Sequence, residues 1–408
     1  MGRFAIAGAL VLIAIVPAPP AVAGTAAVTG ASVTYSAAPG EGNDLTATAS
    51  VDGVEFRDAG ASVSAGRGCD QLDAHTARCY ARADSLFTNV DAGDGDDVVR
   101  VIDGPGGSAR FGVSGGPGND TLYAAARGSS LDGGPGADTL EGGPGGDTLT
   151  GGPDGDTLVG GGGNDDITPD GAGVPPAPDV VDGGPGSDSV SYAGRTTPVD
   201  VDLERPAGNG GPGENDTIRA VENVISGGGS DHLRGDEQAN FLSSAGFGTG
   251  VAGQHDVIEG RGGDDRIEGS EGADVLSGGG GGDEIEGNGG ADSLSGGPGD
   301  DGIDLLEERP ASLACGGGDD LVNYPPLRVL IRPDCETVQD TGLFFLVRTR
   351  LGRAGRGMRT VEISGLRELL FEELPCRVVA ALSRPGRARA ELGMGGGRLP
   401  AKGHDRAT

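Results

Sequence analysis

Aspartates recur every nine residues along much of this chain. Asp256, Asp265 and Asp274 open one such series, and each begins a triplet Asp-x-U in which U is Leu, Ile or Val. The residues before each triplet are rich in glycine, as in residues 133–141 with the sequence GGPGADTLE. The unit is therefore G-G-x-G-x-D-x-U-x. It offers a carboxylate and several accessible backbone carbonyls, which are the oxygen groups that a hard cation prefers as ligands.

One such unit cannot fold alone. Its glycines suit a tight turn with positive φ, and its last three residues alternate polar, aliphatic and polar, as in a very short strand. Burying the single inward side chain, such as Leu140, contributes only about 1.5 to 3 kcal/mol. Ordering nine residues costs on the order of 10 kcal/mol or more. The fixed short period therefore predicts stacked coils that share a core between neighbours.

Electrostatics then demands a cation. The chain has a formal charge of -32, and its sixth-position aspartates would stack above one another in adjacent coils. The turns supply oxygen atoms and neither nitrogen nor sulfur, which favours calcium over zinc. The candidate calcium ligands are Asp97, Asp120, Asp138, Asp147, Asp156, Asp165, Asp188, Asp231, Asp256, Asp265, Asp274, Asp283, Asp292, Asp301 and Asp320.

The repeat unit resembles the RTX, or hemolysin-type, calcium-binding repeats of secreted bacterial proteins. The resemblance implies a parallel β-roll in which two repeats make one coil and each ion lies between repeats n and n+2. Disorder is the alternative for so acidic and glycine-rich a chain. A low-complexity sequence that merely drifted would, however, not keep an aliphatic residue two positions after each aspartate. The implied ion-bridging pairs are Asp138 with Asp156, Asp147 with Asp165, Asp256 with Asp274, Asp265 with Asp283, Asp274 with Asp292, and Asp283 with Asp301.

We therefore expect an all-β protein, a nonapeptide-repeat solenoid or β-roll, with a small N-terminal β segment and a small C-terminal domain that is also β. The predicted parts are a signal peptide (1–23), an N-terminal β segment that caps the roll (24–91), a first repeat array (92–191), a spacer with degenerate repeats (192–250), a second array with a disulfide-bracketed terminal unit (251–340) and a basic segment (341–408).

Residues 1–23 have the pattern of a signal peptide, with Arg3, an apolar run and then Ala21, Val22 and Ala23. The apolar run is too short to span a bilayer, and no later segment approaches that length. The sequence thus predicts an exported protein, secreted or at the cell surface, with no transmembrane segment. An uncleaved N-terminal anchor is the alternative.

The five cysteines fit an exported chain. Cys69 and Cys79 lie ten residues apart among turn residues, which predicts a local disulfide, with free thiols as the alternative. The segment from Cys315 to Cys335 resembles actinobacterial members of the same group, and this implies a second disulfide. No partner for Cys376 is evident.

Several units depart from the repeat. Residues 124–132 carry Ser129 at the sixth position but keep Leu131, so we expect the coil to persist with a weak or absent ion. Asn240 replaces aspartate in residues 235–243, which makes coordination there doubtful. The sequences of residues 188–203 and 214–242 are similar to a spacer found inside such repeat proteins, where its strands widen the roll without ending it.

The charge inverts near residue 341, beyond which thirteen Lys and Arg face six Asp and Glu. Residues 342–351, 358–363 and 376–382 have the composition of strands, whereas residues 366–374 also fit a short helix. The basic segment could bind an anionic polymer or the acidic roll, but a solvated tail is the simpler interpretation.

No catalytic constellation is evident. The G-x-S-x-G pattern at residues 112–116 lacks a strand-to-helix context, and the four histidines form no H-E-x-x-H motif. The acidic field excludes nucleic acid as a partner. We expect a non-enzymatic calcium-binding protein with a surface, adhesive or matrix role, for which a cell-envelope or matrix polymer is a candidate partner. The alternative is a secreted hydrolase or polysaccharide-modifying enzyme that carries the repeats as a folding aid.

Overall fold

The computed structural model describes residues 23–30, 32–80, 87–107, 109–171, 177–246, 254–305 and 312–324, together with the backbone of five later strands. None of these residues forms a helix, and so no helix capable of crossing a membrane is found among them. The predicted signal peptide lies almost wholly outside the described residues, as do Cys335 and Cys376.

The N-terminal segment is built from short antiparallel pairs. Cys69 and Cys79 are joined by a disulfide, which confirms that prediction. Tyr35 and Phe56 are buried and stack with ring centroids 5.5 Å apart. The strands are β1 (Gly24–Thr29), β2 (Ser32–Ser36), β3 (Asp44–Ser50), β4 (Gly53–Asp58), β5 (Val63–Ala65), β6 (Cys69–Asp73) and β7 (Thr76–Cys79).

The repeats form two rows of parallel strands. In the first array and spacer these are β8 (Phe87–Asp91), β9 (Val98–Asp103), β10 (Arg110–Ser114), β11 (Thr121–Tyr123), β12 (Ser130–Asp132), β13 (Thr139–Glu141), β14 (Thr148–Thr150), β15 (Thr157–Val159), β16 (Asp166–Thr168), β17 (Val180–Asp182), β18 (Ser189–Ser191), β19 (Asp200–Asp202), β20 (Thr217–Arg219), β21 (Asn223–Ile225), β22 (His232–Arg234) and β23 (Phe241–Ser243).

The second array continues with β24 (Val257–Gly262), β25 (Arg266–Glu268), β26 (Val275–Gly280), β27 (Glu284–Glu286), β28 (Ser293–Pro298), β29 (Gly302–Asp304), β30 (Ser312–Gly317) and β31 (Leu321–Tyr324). The backbone then forms β32 (Thr337–Asp340), β33 (Phe345–Thr349), β34 (Arg359–Ser364), β35 (Arg377–Arg384) and β36 (Arg387–Gly393). Whether these last strands make a separate domain stays a prediction. Cys315 is disulfide-bonded, and its pairing with Cys335 stays a prediction.

Strands two repeats apart pair with each other. Thr139 of β13 pairs with Thr157 of β15, and Thr148 of β14 pairs with Asp166 of β16, so successive repeats alternate between two faces. One face is a single sheet that runs from the N-terminal segment through β31, which we call the long sheet. The opposite face consists of a first sheet ending at β20 and a second sheet running from β19 to β30. This is the predicted parallel β-roll.

The core is one side chain wide on each face. Leu122, Leu140 and Leu158 stack on the first sheet, and Leu131, Leu149 and Ile167 stack on the long sheet, all at 1% exposure or less. The degenerate unit keeps its place, because β12 pairs with both β10 and β14. Each aliphatic side chain thus contacts the equivalents above and below it rather than a thick core.

Replacing Leu149 by Ala should remove one rung of this ladder and cost about 2 to 5 kcal/mol, because neighbouring coils cannot close the cavity. Urea unfolding in millimolar calcium measures the loss. The control is Thr148→Ala, which alters an exposed residue of the same strand. Equal unfolding midpoints for the two variants would contradict this account of the core.

Candidate metal centre

The sixth-position aspartates form columns along the edges of the roll, where turns connect the two faces. The backbone N–H of Asp120 donates to Oδ1 of Asp138 at 2.7 Å, and the N–H of Asp138 donates to Oδ1 of Asp156 at 2.8 Å. The same contact joins each of the six pairs expected from the sequence, at N–O distances of 2.7 to 3.0 Å. The pairs therefore meet as the repeat period requires.

Three columns result, and together they hold all fifteen aspartates singled out from the sequence. The first column contains Asp97, Asp120, Asp138, Asp156, Asp179 and Asp216. The second contains Ser129, Asp147, Asp165, Asp188, Glu222, Asn240, Asp265, Asp283, Asp301 and Asp320. The third contains Asp231, Asp256, Asp274 and Asp292.

Three carboxylates of these columns are not among the ligands predicted from the sequence. Asp179 and Asp216 extend the first column, and Glu222 places its Oε2 atom 2.8 Å from the backbone nitrogen of Asp188 in the second. Two of them could have been found from the triplet, since Asp179-Val180-Val181 and Asp216-Thr217-Ile218 keep the Asp-x-U pattern. The glycine-rich turn is absent before Asp179 and Glu222, and the glycines of residues 210–213 lie one residue further from Asp216 than in the repeat unit, so none of the three completes the nonapeptide.

The second carboxylate oxygen has a different environment from the first. While Oδ1 accepts a backbone N–H, Oδ2 of many column aspartates is buried without any hydrogen-bond partner among the described residues. The orphaned oxygens belong to Asp97, Asp120, Asp138, Asp156, Asp165, Asp179, Asp188, Asp231, Asp265, Asp283 and Asp301. A buried anionic oxygen with neither a donor nor water is costly, so each of these atoms needs a positive partner.

A small space lined by oxygen lies beside the orphans whose turns begin with glycine. A Cβ atom built on Gly133 would approach Oδ2 of Asp138 and lie 2.8 Å from the carbonyl oxygen of Gly151 in the next coil. Only glycine leaves this space open. Within the described residues, no three Asp, Glu, His or Cys side chains converge as a metal site. Backbone carbonyls must therefore supply most of the six to eight oxygens that calcium takes.

The turn residues thus fit a calcium ion by the chemistry of their donor atoms. Gly136 is held at φ 138° in the turn that carries Asp138, and Gly299 at φ 148° in the turn that carries Asp301. Such values are accessible to glycine and strained for other residues. When bound, calcium would supply the positive charge that the stacked carboxylates lack.

The columns are not uniform. Oδ2 of Asp147 accepts the N–H of Gly143 at 2.7 Å, and Oδ2 of Asp274 accepts the N–H of Ser270 at 3.0 Å. At Asn240 an amide replaces the carboxylate, and its Nδ2 donates to the carbonyl of Glu222 at 2.9 Å. At these positions, hydrogen bonds within the chain satisfy polar atoms that elsewhere lack a partner. Weaker ion coordination at Asn240 stays a prediction.

Burial raises the pKa of the column carboxyls. It raises the pKa of Asp138, Asp156 and Asp265 to about 7 against hydrogen bonds from backbone N–H groups, and neighbouring carboxylates add to the rise. The pKa of Asp179 rises to about 8, chiefly through burial and then through Asp216, Asp170 and Asp156. Without a cation, the ionised columns therefore oppose folding at neutral pH.

Fold and site together define an acidic parallel β-solenoid whose edges carry stacked oxygen sites. A family model, the RTX calcium-binding nonapeptide repeat, matches four segments of the chain, at residues 113–126, 132–167, 253–285 and 277–306. These segments are RTX-type calcium-binding repeats, and repeats of this type bind calcium ions. No curated protein matches it. Asp97, Asp188, Asp231 and Asp320 lie outside the matched segments.

Asp283→Asn should weaken calcium binding by roughly tenfold, on the order of 1.4 kcal/mol, because it removes a charged oxygen from a column position with an orphaned Oδ2. The calcium midpoint of strand formation measures this change. The matched control is Glu284→Gln, which removes the same charge from the neighbouring exposed residue. Midpoints that shift equally in both variants would show that only net charge matters.

In chelator, acidification should restore structure. Folded carboxyls with pKa values of about 7 to 8 lie above the ordinary value of 3.8, so their protonation favours the fold. Stability from these groups is complete below about pH 4 and is lost as the pH rises towards about 8. Far-UV circular dichroism should therefore report more strand at about pH 5 than at about pH 8. A signal that does not change with pH in chelator would refute this.

Proposed function

We propose that this protein is exported and that calcium binding between stacked turns folds its β-roll. The observation that carries the proposal is the set of buried Oδ2 atoms without partners, which repeats along both edges of the first array and, in the second array, along the edge that carries Asp265, Asp283 and Asp301. The fifteen sixth-position aspartates are the proposed ligand residues, and Asp179, Asp216 and Glu222 join them by position. The export signal is the pattern of residues 1–23.

The proposed ligands differ in how much a bound ion would stabilise their carboxylates. Asp138, Asp156, Asp265 and Asp283 have an orphaned oxygen and gain most, whereas Asp147 and Asp274 already accept a second N–H. Affinity per site should match that of extracellular calcium modules, with dissociation constants of about 10⁻⁴ to 10⁻³ M, tightened by coupling between stacked coils.

The outer surface suits a structural or adhesive role. Ser130, Thr148 and Asp166 are exposed on consecutive paired strands of the long sheet, so polar groups repeat at the spacing of parallel strands, about 4.8 Å. A cell-envelope or matrix polymer with regularly repeated hydrogen-bonding groups is the partner that such a surface would match. We therefore propose a surface, adhesive or matrix function rather than catalysis.

The direct test is a calcium titration of residues 24–408 followed by circular dichroism and calorimetry. Strand content should be low in chelator and should rise cooperatively as calcium reaches about 0.1 to 1 mM. Magnesium at the same concentration serves as the control, because its strict octahedral geometry and tightly held waters disfavour such sites. Equal strand content in chelator and in millimolar calcium would overturn calcium-dependent folding.

A further inference from the structure

The spacer replaces a repeat turn by one without a carboxylate. The N–H of Gly228 donates to the carbonyl of Arg195 at 2.7 Å, as the N–H of Gly162 donates to that of Gly143 at 2.8 Å in the first array. The N–H of Val199 donates to Oδ1 of Asp231 at 2.9 Å. Residues 194–199 therefore stack as a repeat turn would, with Val199 at the sixth position, where other turns of this edge carry aspartate.

An arginine side chain is buried at this level. Arg195 is 8% exposed, and among the described residues it is the only arginine that is buried. Its Nη2 donates to Oδ2 of Asp170 at 2.8 Å and its Nη1 donates to Oε1 of Glu214, and both carboxylate side chains are fully buried. The guanidinium also lies 5.4 Å from the ring centroid of Tyr192.

The same cluster joins the end of the first column. The hydroxyl of Tyr192 donates to Oδ2 of Asp216 at 2.7 Å, and Oδ1 of Asp216 accepts the N–H of Asp179 at 3.0 Å. Asp179 in turn accepts the N–H of Asp156 at 2.8 Å. The carboxylates that end the column of the first array thus connect, through one phenol, to a permanent internal cation.

We propose that Arg195 takes at this junction the electrostatic role that calcium has in the repeats, so that the coil containing Tyr192, Arg195 and Asp216 stays folded without calcium and holds the two arrays together. Arginine remains protonated at all physiological pH values and forms planar contacts with carboxylates. The proposal rests on calcium-dependent folding of the arrays, as proposed above. It makes the spacer a preformed end onto which coils of each array can stack.

Hydrogen exchange on the full chain, in chelator and in calcium, tests this. In chelator, the amides of Tyr192, Arg195 and β20 should stay protected while those of residues 133–168 and 254–304 exchange rapidly. Junction amides that exchange as fast as the arrays would overturn the role of Arg195. Arrays that stay protected in chelator would instead overturn calcium-dependent folding, so the two failures are distinct.

Variants then assign the effect to the side chain. Arg195→Gln should lower junction protection in chelator by about a hundredfold, because it leaves Asp170 and Glu214 buried without a cation. The control is Arg266→Gln, since Arg266 also pairs with two glutamates, Glu268 and Glu284, but is exposed. Unchanged protection in Arg195→Gln would overturn the proposal. The wild-type comparison decides it even where that variant does not fold.

Discussion

A carboxylate oxygen buried without a proton donor is the constraint from which the rest of this structure follows. Stacking coils places one such oxygen at the same point of many successive turns, and each is removed from water by the coil above it. Desolvating an anion costs far more than burying one leucine returns. The fold is therefore stable only where a positive charge or a donor reaches each of these atoms.

The chain meets this demand in three chemically distinct ways. Within the arrays, the oxygen-lined space beside the orphans whose turns begin with glycine suits calcium. At Asp147 and Asp274, a backbone N–H of the same turn donates to Oδ2, at 2.7 and 3.0 Å. At the spacer, a guanidinium lies between Asp170 and Glu214. The spacer cluster and a few coil positions thus use the protein's own groups, while the other coils depend on the ion.

The parts that a sequence can predict here are those set by local period. The spacing of aspartate and aliphatic residues predicted stacked coils with one inward aliphatic residue per repeat, and the resemblance to RTX repeats implied the six aspartate pairs, whose members lie eighteen residues apart. Asp179 and Glu222 escaped because their turns lack glycine, so only the triplet remained. The Arg195 cluster escaped for a stronger reason: Asp170, Arg195 and Glu214 lie 25 and 19 residues apart, and no period relates them.

The spacer also explains how a long insertion leaves the columns in register. On the long sheet, β18 pairs directly with β21, so the strand pairing on this face continues across the insertion without a break. On the opposite face, antiparallel bridges join Asp200 to Gly210 and Asn209 to Asp216, which link the last strand of the first sheet to the first strand of the second. Because one face is continuous, the turn at Asp231 returns to the edge where its carboxylate begins a new column. The length of an insertion is then free, provided that its last turn rejoins a coil at the repeat position.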